Sequence, residues 1–386
     1  MRGVRMAVMA GALGVLGVSA WGATPGMGFD QADVPRPFVF PRDHGPHLQF
    51  RQEWWYVTGN LDTATGERFG FELTFFRVAL EPPAANPATA PAASAWRTRQ
   101  IYLAHFAVTD VARRKFHFAQ KMSREALGLA GAQGSPLRVW IDDWTLAEPG
   151  AGGASWKLHA AQPGYALELT LTPLTAPVLN GDAGLSRKSG EPGTASYYYS
   201  IPRLAVRGQL TRDGQPLAIS GLAWFDREWG SGELGAREAG WDWFALQMND
   251  GTALMFYALR DTDGAEDAHS AGTWIEPAGA AHALRREDVA IDVTGHWRNA
   301  DGDRYPSAWR IRVPSLALDL RVQPVLADQE LKVTPQYWEG AVDVGGIRSG
   351  AGVAGRGYVE LVGYDRERAK RGATPGQTGE PAHLPR

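Results

Sequence analysis

The chain has 386 residues, enough for two domains of ordinary size, and its 44% hydrophobic and 21% charged content is that of a globular fold. A net charge of −3, with no RNP-like motif, zinc-finger spacing or sustained basic stripe, argues against nucleic-acid binding. Cysteine is absent, which excludes disulfides, thiolate metal sites, a cysteine nucleophile and a lipoprotein anchor, whereas 15 tryptophans must be buried or line a cleft.

The first residues read as a leader. Arg2 and Arg5 precede an apolar run over 6–18, and Val18 and Ala20 supply the small residues of a cleavage site. Residues 1–20 are therefore predicted to be a secretory signal peptide, which points to the periplasm or the exterior. The run is short for a membrane span, and no later window approaches ~20 apolar residues. Residues 21–36 form a Gly/Pro-containing arm, predicted to be loosely ordered.

Strand-like segments follow at short spacing. Residues 54–61 read as a strand and 62–66 as a turn. Over 68–78 the alternation places Phe69, Phe71, Leu73 and Phe75 on one face. The Ala/Pro-rich run 81–95 predicts a long exposed loop. Hairpins are predicted from 101–109 with 115–121 and from 137–146 with 155–161, and 165–172 alternates again. Residues 175–195 are loop-like, and strand returns at Tyr197. Asp213 and Gly214 join 204–211 to 216–222, a strong two-residue hairpin signal.

A second array opens at 241–248, with Trp241, Trp243 and Ala245 facing one way and Phe244, Leu246 and Met248 the other. It continues through 252–259, 272–276, 289–297, 309–313, 316–322, 337–344 and 356–362. Beyond about 366 the apolar residues run out, and 366–386 is predicted to be a disordered tail. With many short strands and no βαβ rhythm, the chain is predicted to be all-β, as two antiparallel barrels or sandwiches split around 225–240. Barrels of about eight strands enclose room for one ligand.

The common catalytic signatures are missing: no Gly-x-Ser-x-Gly elbow, His-Glu-x-x-His, P-loop or dinucleotide fingerprint occurs. His44 and His47 flank a Gly-Pro pair with no acidic ligand close in sequence, so no metal site and no cofactor are predicted. The central stretch 220–231 sets Asp226, Arg227 and Glu228 among Trp224, Phe225 and Trp229. Near the front, Glu53 precedes Trp54, Trp55 and Tyr56. An acid held against apolar rings resists ionising and can act as a general acid, and two acids on one face raise each other's pKa. In an extended strand Asp226 and Glu228 share a face, with Arg227 opposite. The alternative is packed indoles with acids paired to arginines, Glu53 with Arg51, Arg68 or Arg77. His105 lies in an apolar strand, the usual setting of a satisfied structural histidine.

These residues carry a resemblance. Glu53 to Leu61, His105 with Phe106, and 221–231 together resemble the AttH-like predicted secreted hydrolases and the carotenoid 1,2-hydratase (hydroxyneurosporene synthase) superfamily, over about 37–365. The resemblance implies two tandem lipocalin-like (calycin-type) barrel domains, 37–232 and 233–365. It also implies a hydrophobic, isoprenoid- or lipid-like ligand and cofactor-free acid/base chemistry as a hydratase or hydrolase. Asp226 and Glu228 would be the acids, with Glu53, His47 and His105 as further catalytic candidates. Trp54, Trp55, Tyr56, Trp224, Arg227, Trp229, Trp243 and Tyr257 would line the substrate. Two departures favour the AttH-like branch over carotenoid hydration: Arg227 stands where the hydratases carry a His, and the hairpin at 256–260 lacks an acid before Asp261. The alternative function is a non-catalytic lipid carrier linked to a membrane export system.

Overall fold

Period-two alternation governs nearly all of the ordered chain, and in the computed structural model it is realised as strands. The structure describes residues 28–83, 94, 96–150, 153–232, 234 and 237–364. The expected leader 1–20, the tail 366–386 and most of the 81–95 loop lie outside the described residues. Among the described residues no helix is long and apolar enough to cross a membrane.

The first sheet takes thirteen strands. They are β1 (Gln52–Thr63), β2 (Arg68–Ala79), β3 (Gln100–Asp110), β4 (Lys115–Arg124), β5 (Ala130–Gln133), β6 (Arg138–Ile141) and β7 (Trp144–Ala147), followed by β8 (Trp156–Gln162), β9 (Tyr165–Pro173), β10 (Val178–Leu179), β11 (Leu185–Arg187), β12 (Ala195–Arg212) and β13 (Gln215–Gly230). The second sheet takes ten. They are β14 (Glu238–Met248), β15 (Ala253–Asp261), β16 (Ala271–Ile275), β17 (Ala281–Arg285) and β18 (Ala290–Arg298), followed by β19 (Arg304–Val313), β20 (Leu318–Pro324), β21 (Glu330–Leu331), β22 (Tyr337–Arg348) and β23 (Ala351–Val362). Every pairing is antiparallel, and the sheets part between Gly230 and Glu238.

The first sheet runs β4-β3-β2-β1-β13-β12-β9-β8-β7-β6-β5 and curls until its ends meet. Lys121 of β4 lies 5.0 Å from the Trp144 ring centroid and pairs with Asp143, while Phe106 of β3 meets Trp144 at 5.6 Å. The second runs β17-β16-β15-β14-β23-β22-β20-β19-β18, and its end strands are joined by a short 3-10 turn, Arg286–Asp288, rather than by a ladder. The result is two curved antiparallel sheets, one nearly closed and one open, in place of the two closed barrels expected.

The inner faces are filled by the chain's own side chains. Trp55, Phe71, Phe75, Trp144 and Trp229 occupy the first, and Phe244, Trp274, Trp309 and Trp338 the second. Bulky aromatics at alternating inward positions take the space that smaller residues would leave for a ligand.

Local differences from the sequence reading have identifiable causes. The segment read as one strand over 137–146 is two, because Asp142 takes φ 52° and turns the chain. Strands β5, β10, β11, β17 and β21, each of five residues or fewer, went unread. Conversely, β12 runs unbroken across the reading's gap at 200–203 by means of a bulge between Ile201 and Leu204. Most of the stretch 220–231 is the end half of β13, and the chain leaves the first sheet just after it, at Gly230. Nor is the described part of the 21–36 arm loose: Ala32 is buried, Arg36 pairs with Asp43, and Ser231 Oγ donates to the Asp30 carbonyl.

The outward faces of the two sheets pack on each other. Gly70 of β2 marks the closest approach, since a Cβ there would lie 2.7 Å from both the Ala341 Cβ and the Tyr358 hydroxyl. Asn60 Nδ2 donates to the Gly357 carbonyl (3.1 Å), and Arg356 pairs with Asp62 (2.6 Å).

Candidate active site

Strand alternation divides the conspicuous residues between two environments. In β1, Glu53 and Trp55 face the inside of the first sheet, while Trp54, Tyr56 and Thr58 face the second sheet. In β13, Arg227 and Trp229 face inward, and Trp224, Asp226 and Glu228 face the second sheet.

The inward set is a closed ionic pillar. Glu53 is fully buried, pairs with the guanidiniums of both Arg77 and Arg227, and accepts the His47 backbone N–H at 3.0 Å. Burial opposes its charge, but the two guanidiniums outweigh burial and hold its carboxyl well below the usual carboxylate range. Arg227 also donates to the Gly45 and Trp54 carbonyls (2.7 and 3.1 Å) and lies 3.9 Å from the Trp55 centroid. The His47 ring stacks on Trp229 at 3.7 Å. The structure therefore gathers Glu53, His47, Trp55, Arg227 and Trp229 together, but away from Asp226 and Glu228.

The outward set is where acids collect. One cross-strand row of the first sheet reads His105, Thr74, Tyr56, Asp226 and Ser200 across β3, β2, β1, β13 and β12. A row of the second reads Tyr257, Trp243, Glu360 and Glu339 across β15, β14, β23 and β22. The two faces are stitched together. Tyr56 donates to Glu339, Tyr337 donates to Glu72 (3.0 Å), and Trp243 Nε1 donates to the Tyr198 hydroxyl (3.1 Å).

Five carboxyls share this space: Glu72, Asp226, Glu228, Glu339 and Glu360. Asp226 accepts from Tyr198 and Ser200 at 2.5 Å and from Trp224 Nε1 at 2.6 Å, with no cation paired to it among the described residues. Burial pushes its carboxyl up to about 7 against those hydrogen bonds. Burial likewise lifts Glu72 to about 7, despite donation from Thr74 and Tyr337. It lifts Glu360 to about 8, with Glu72, Asp226 and Glu228 adding repulsion. Glu339, directly opposite Glu360, is raised well above its ordinary value by burial and then by Glu72 and Glu360. Glu228 differs, for it is ion-paired to Lys188 at 2.9 Å and accepts from Ser196. Lys188 also lies 4.2 Å from the Tyr257 centroid.

His105 is kept neutral, its pKa lowered by burial to about 4. Its Nδ1 meets the Tyr337 hydroxyl at 2.8 Å and its Nε2 meets Gln120 Nε2 at 3.0 Å. Because the Gln120 amide donates, Nδ1 carries the ring proton and donates to Tyr337, which in turn donates to Glu72. Among the described residues Thr58 Oγ1, Glu72 Oε2 and Glu339 Oε2 are buried here without a hydrogen-bond partner. Glu360 alone among the five acids is only half-buried. Trp241 Nε1 donates to it at 2.6 Å, and Trp241 and Trp54 are half-buried against the same aromatic cluster.

The sequence reading found Asp226, Glu228, His105, Trp54, Tyr56, Trp224, Trp243 and Tyr257 of this set. It missed Glu72, Glu339, Glu360, Tyr198, Tyr337, Trp241 and Lys188. The available signal was a lone acid between apolar neighbours on three long strands, a pattern that also describes a solvated face.

A pH dependence follows. Glu72, Asp226 and Glu360 have folded-state pKa values above their unfolded values, so their contribution to stability is complete below the unfolded carboxylate range and is lost as pH rises to about 7 to 8. His44 and His105, lowered to about 4, act oppositely but only below their ordinary 6.5. Stability is therefore expected to fall between about pH 6.5 and 8, and Glu360→Gln to flatten that slope. Urea unfolding across this range checks it, and stability that rises through the window would contradict it.

A model of the AttH-like family matches residues 31–364. A solved structure of a candidate AttH from Nitrosomonas europaea is 33% identical, with a TM-score of 0.75, and the alignment covers 89% of this chain and 99% of that one. Kievitone hydratase from Nectria haematococca shares the fold at 18% identity and a TM-score of 0.64, over 87% of this chain and 98% of that one. A curated relative, the dehydratase asqC of Emericella nidulans, is 25% identical over 219 residues, 53% of this chain, and the match spans 60% of that protein's length.

Proposed function

This chain belongs to the AttH-like family, and from that membership and the acid row between its sheets we propose that it is a cofactor-free acid/base enzyme. It adds water to, or removes water from, a lipophilic isoprenoid- or lipid-like compound. The observation that carries this reading is a half-buried carboxyl, Glu360, raised to about 8 beside the indole of Trp241 and in a row of further acids. A carboxyl that is protonated at neutral pH can donate its proton. The relatives that carry the names hydratase and dehydratase support water chemistry.

In the hydration direction Glu360 protonates an alkene carbon, which leaves a carbocation. The faces of Trp54, Trp241 and Trp243 shield it. Water captures the cation and passes a proton to Asp226, whose value near 7 suits a base at neutral pH. Dehydration runs the same steps backwards, with the acid protonating a departing hydroxyl. Glu228, ion-paired to Lys188, orients Tyr198 and Tyr257 through that cation rather than donating. The Gln120–His105–Tyr337 chain aims one O–H at Glu72 and fixes the neighbouring acids. The Glu53 pillar holds β1 and β13 in register and takes no part in proton transfer. The leader over 1–20 would deliver the enzyme to the periplasm.

The test is to purify the full-length gene product from its own cell envelope, extract it with organic solvent and identify bound lipophiles by mass spectrometry. A compound with an alkene or a tertiary alcohol, converted on incubation with fresh protein, is the expected result. Extracts with no lipophile above a control protein would overturn the reading.

A further inference from the structure

A second cluster of acids lies outside the inter-sheet row. A cleft of about 350 Å³ opens where the connection after β11 meets the start of β14 and the end of β15, and Ser189, Glu191, Glu238, Asp261 and Asp267 are among its lining residues. One oxygen of each of Glu238, Asp261 and Asp267 lies within 4.8 Å of the other two.

The backbone goes out of its way to make this arrangement. A β-bulge between Glu238 and Gly240 shifts the register so that Glu238 stands directly opposite Asp261. Bulges re-aim side chains, and like charges directly opposite on an antiparallel pair destabilise it. The chain after Asp261 then turns tightly through Gly264 (φ 87°) and brings Asp267 back beside the pair, with the Asp267 N–H donating to the Leu259 carbonyl at 2.9 Å.

The neutralising contacts are incomplete. Glu238 is only 6% exposed, yet its Oε2 has no hydrogen-bond partner and no cation pairs with it among the described residues. Asp261 Oδ1 is also buried and unpartnered. Arg237 reaches the other Asp261 oxygen at 3.3 Å, but its side chain is 74% exposed. Asp267 spends one oxygen, Oδ1, on His269, at 2.7 Å to the N–H and 2.8 Å to Nδ1. A buried carboxylate without a partner is costly, and a cation is the ligand that satisfies three convergent carboxylates together.

We propose that Glu238, Asp261 and Asp267 bind a divalent cation of the calcium class. An all-oxygen donor set selects hard cations, and an irregular set drawn from two strand ends and the loop after them suits Ca²⁺, which accepts variable geometry with waters completing its shell, over Mg²⁺, which requires a near-ideal octahedron. The cleft wall contributed by Ser189 and Glu191 belongs to the first sheet's part of the chain, and the three ligands belong to the second's. An occupied site therefore braces the two parts next to Lys188, the partner of Glu228. This proposal is independent of the chemistry assigned to Glu360.

The test uses chelator-treated full-length protein titrated with Ca²⁺ in a calorimeter, with Mg²⁺ as a second arm. One saturable Ca²⁺ site, weaker uptake of Mg²⁺ and a melting temperature that rises with Ca²⁺ are expected. Glu238→Gln should weaken binding by about ten-fold or more, because affinity follows ligand charge, while Asp292→Asn at a remote exposed acid leaves it unchanged. Without metal, Glu238→Gln relieves the repulsion with Asp261 and should melt no lower than the wild type, which separates lost binding from lost folding. No saturable uptake up to about 10 mM Ca²⁺, or uptake indifferent to both Glu238→Gln and Asp261→Asn, would overturn the proposal. So would a metal-free Glu238→Gln protein that melts clearly lower.

Discussion

Glu360→Gln is expected to lower conversion of the co-purified lipophile by about 10²- to 10⁴-fold, the range that one general acid supplies, without unfolding the protein. The amide keeps the shape of the carboxyl and still accepts the Trp241 indole N–H, so packing at the half-buried position changes little. What is lost is the transferable proton. Because the acid is needed in the transition state and not for binding, the loss should fall on kcat, with KM nearly unchanged. Asp226→Asn is expected to act in the same direction and, for hydration, to remove the acidic limb of the pH–rate profile set by a base near 7. Glu53→Gln distinguishes the two acid sets, since it changes a carboxyl on the other face of the same strand pair. Steady-state kinetics at several pH values separates these outcomes, and unaltered kcat in Glu360→Gln removes it from the proton transfer.

The second large effect concerns stability. Glu53→Gln should destabilise the fold by about 3–5 kcal/mol, the usual cost of removing one partner from a buried ionic set. Both guanidiniums facing Glu53 are fully buried, and Arg77 already has one nitrogen, Nη1, without a hydrogen-bond partner. Removing the only carboxylate that pairs with them among the described residues leaves two cations in a low dielectric. Their other hydrogen-bond contacts are the carbonyls of His44, Gly45, His47, Phe50, Trp54 and Glu228, and the His47 ring. Urea unfolding followed by tryptophan fluorescence checks this, and a shift of the midpoint within experimental error would contradict the pillar role. Replacing Asp226, a buried acid pushed up to about 7 with no guanidinium paired to it among the described residues, should cost far less, since no buried cation depends on its charge.

The comparison between these two acids shows what was legible in the sequence. Alternation alone set Asp226 and Glu228 on one face of a strand with Arg227 on the other, and that division holds in β13. The same rule sorted Trp243 from Phe244 into the two faces of β14. What alternation does not say is which face meets what. Glu72, Glu339 and Glu360 each sit between apolar residues on long strands, a pattern normally read as a wet outer face. They are acids of interest only because the outer faces of two sheets, far apart in sequence, lie on one another. Lys188 was passed over because its surroundings read as a loop, and its pairing with Glu228 is a contact made in space. The aromatic abundance was read as either buried or lining a cleft, and Trp55, Trp144 and Trp229 take the first course, filling the first sheet's interior, while the acid row lies outside it.

The central claim is that acids between the sheets remain protonated at neutral pH so that one of them can donate. Infrared spectroscopy of the carboxylic C=O stretch tests it without knowledge of the substrate. At pH 6 the wild type should show a protonated-carboxyl band, which fades as pH rises through about 7 to 8 and shrinks in Asp226→Asn and Glu360→Gln but not in Glu53→Gln. A spectrum with no such band at pH 6, or a band untouched by the Asp226 and Glu360 replacements, would contradict it.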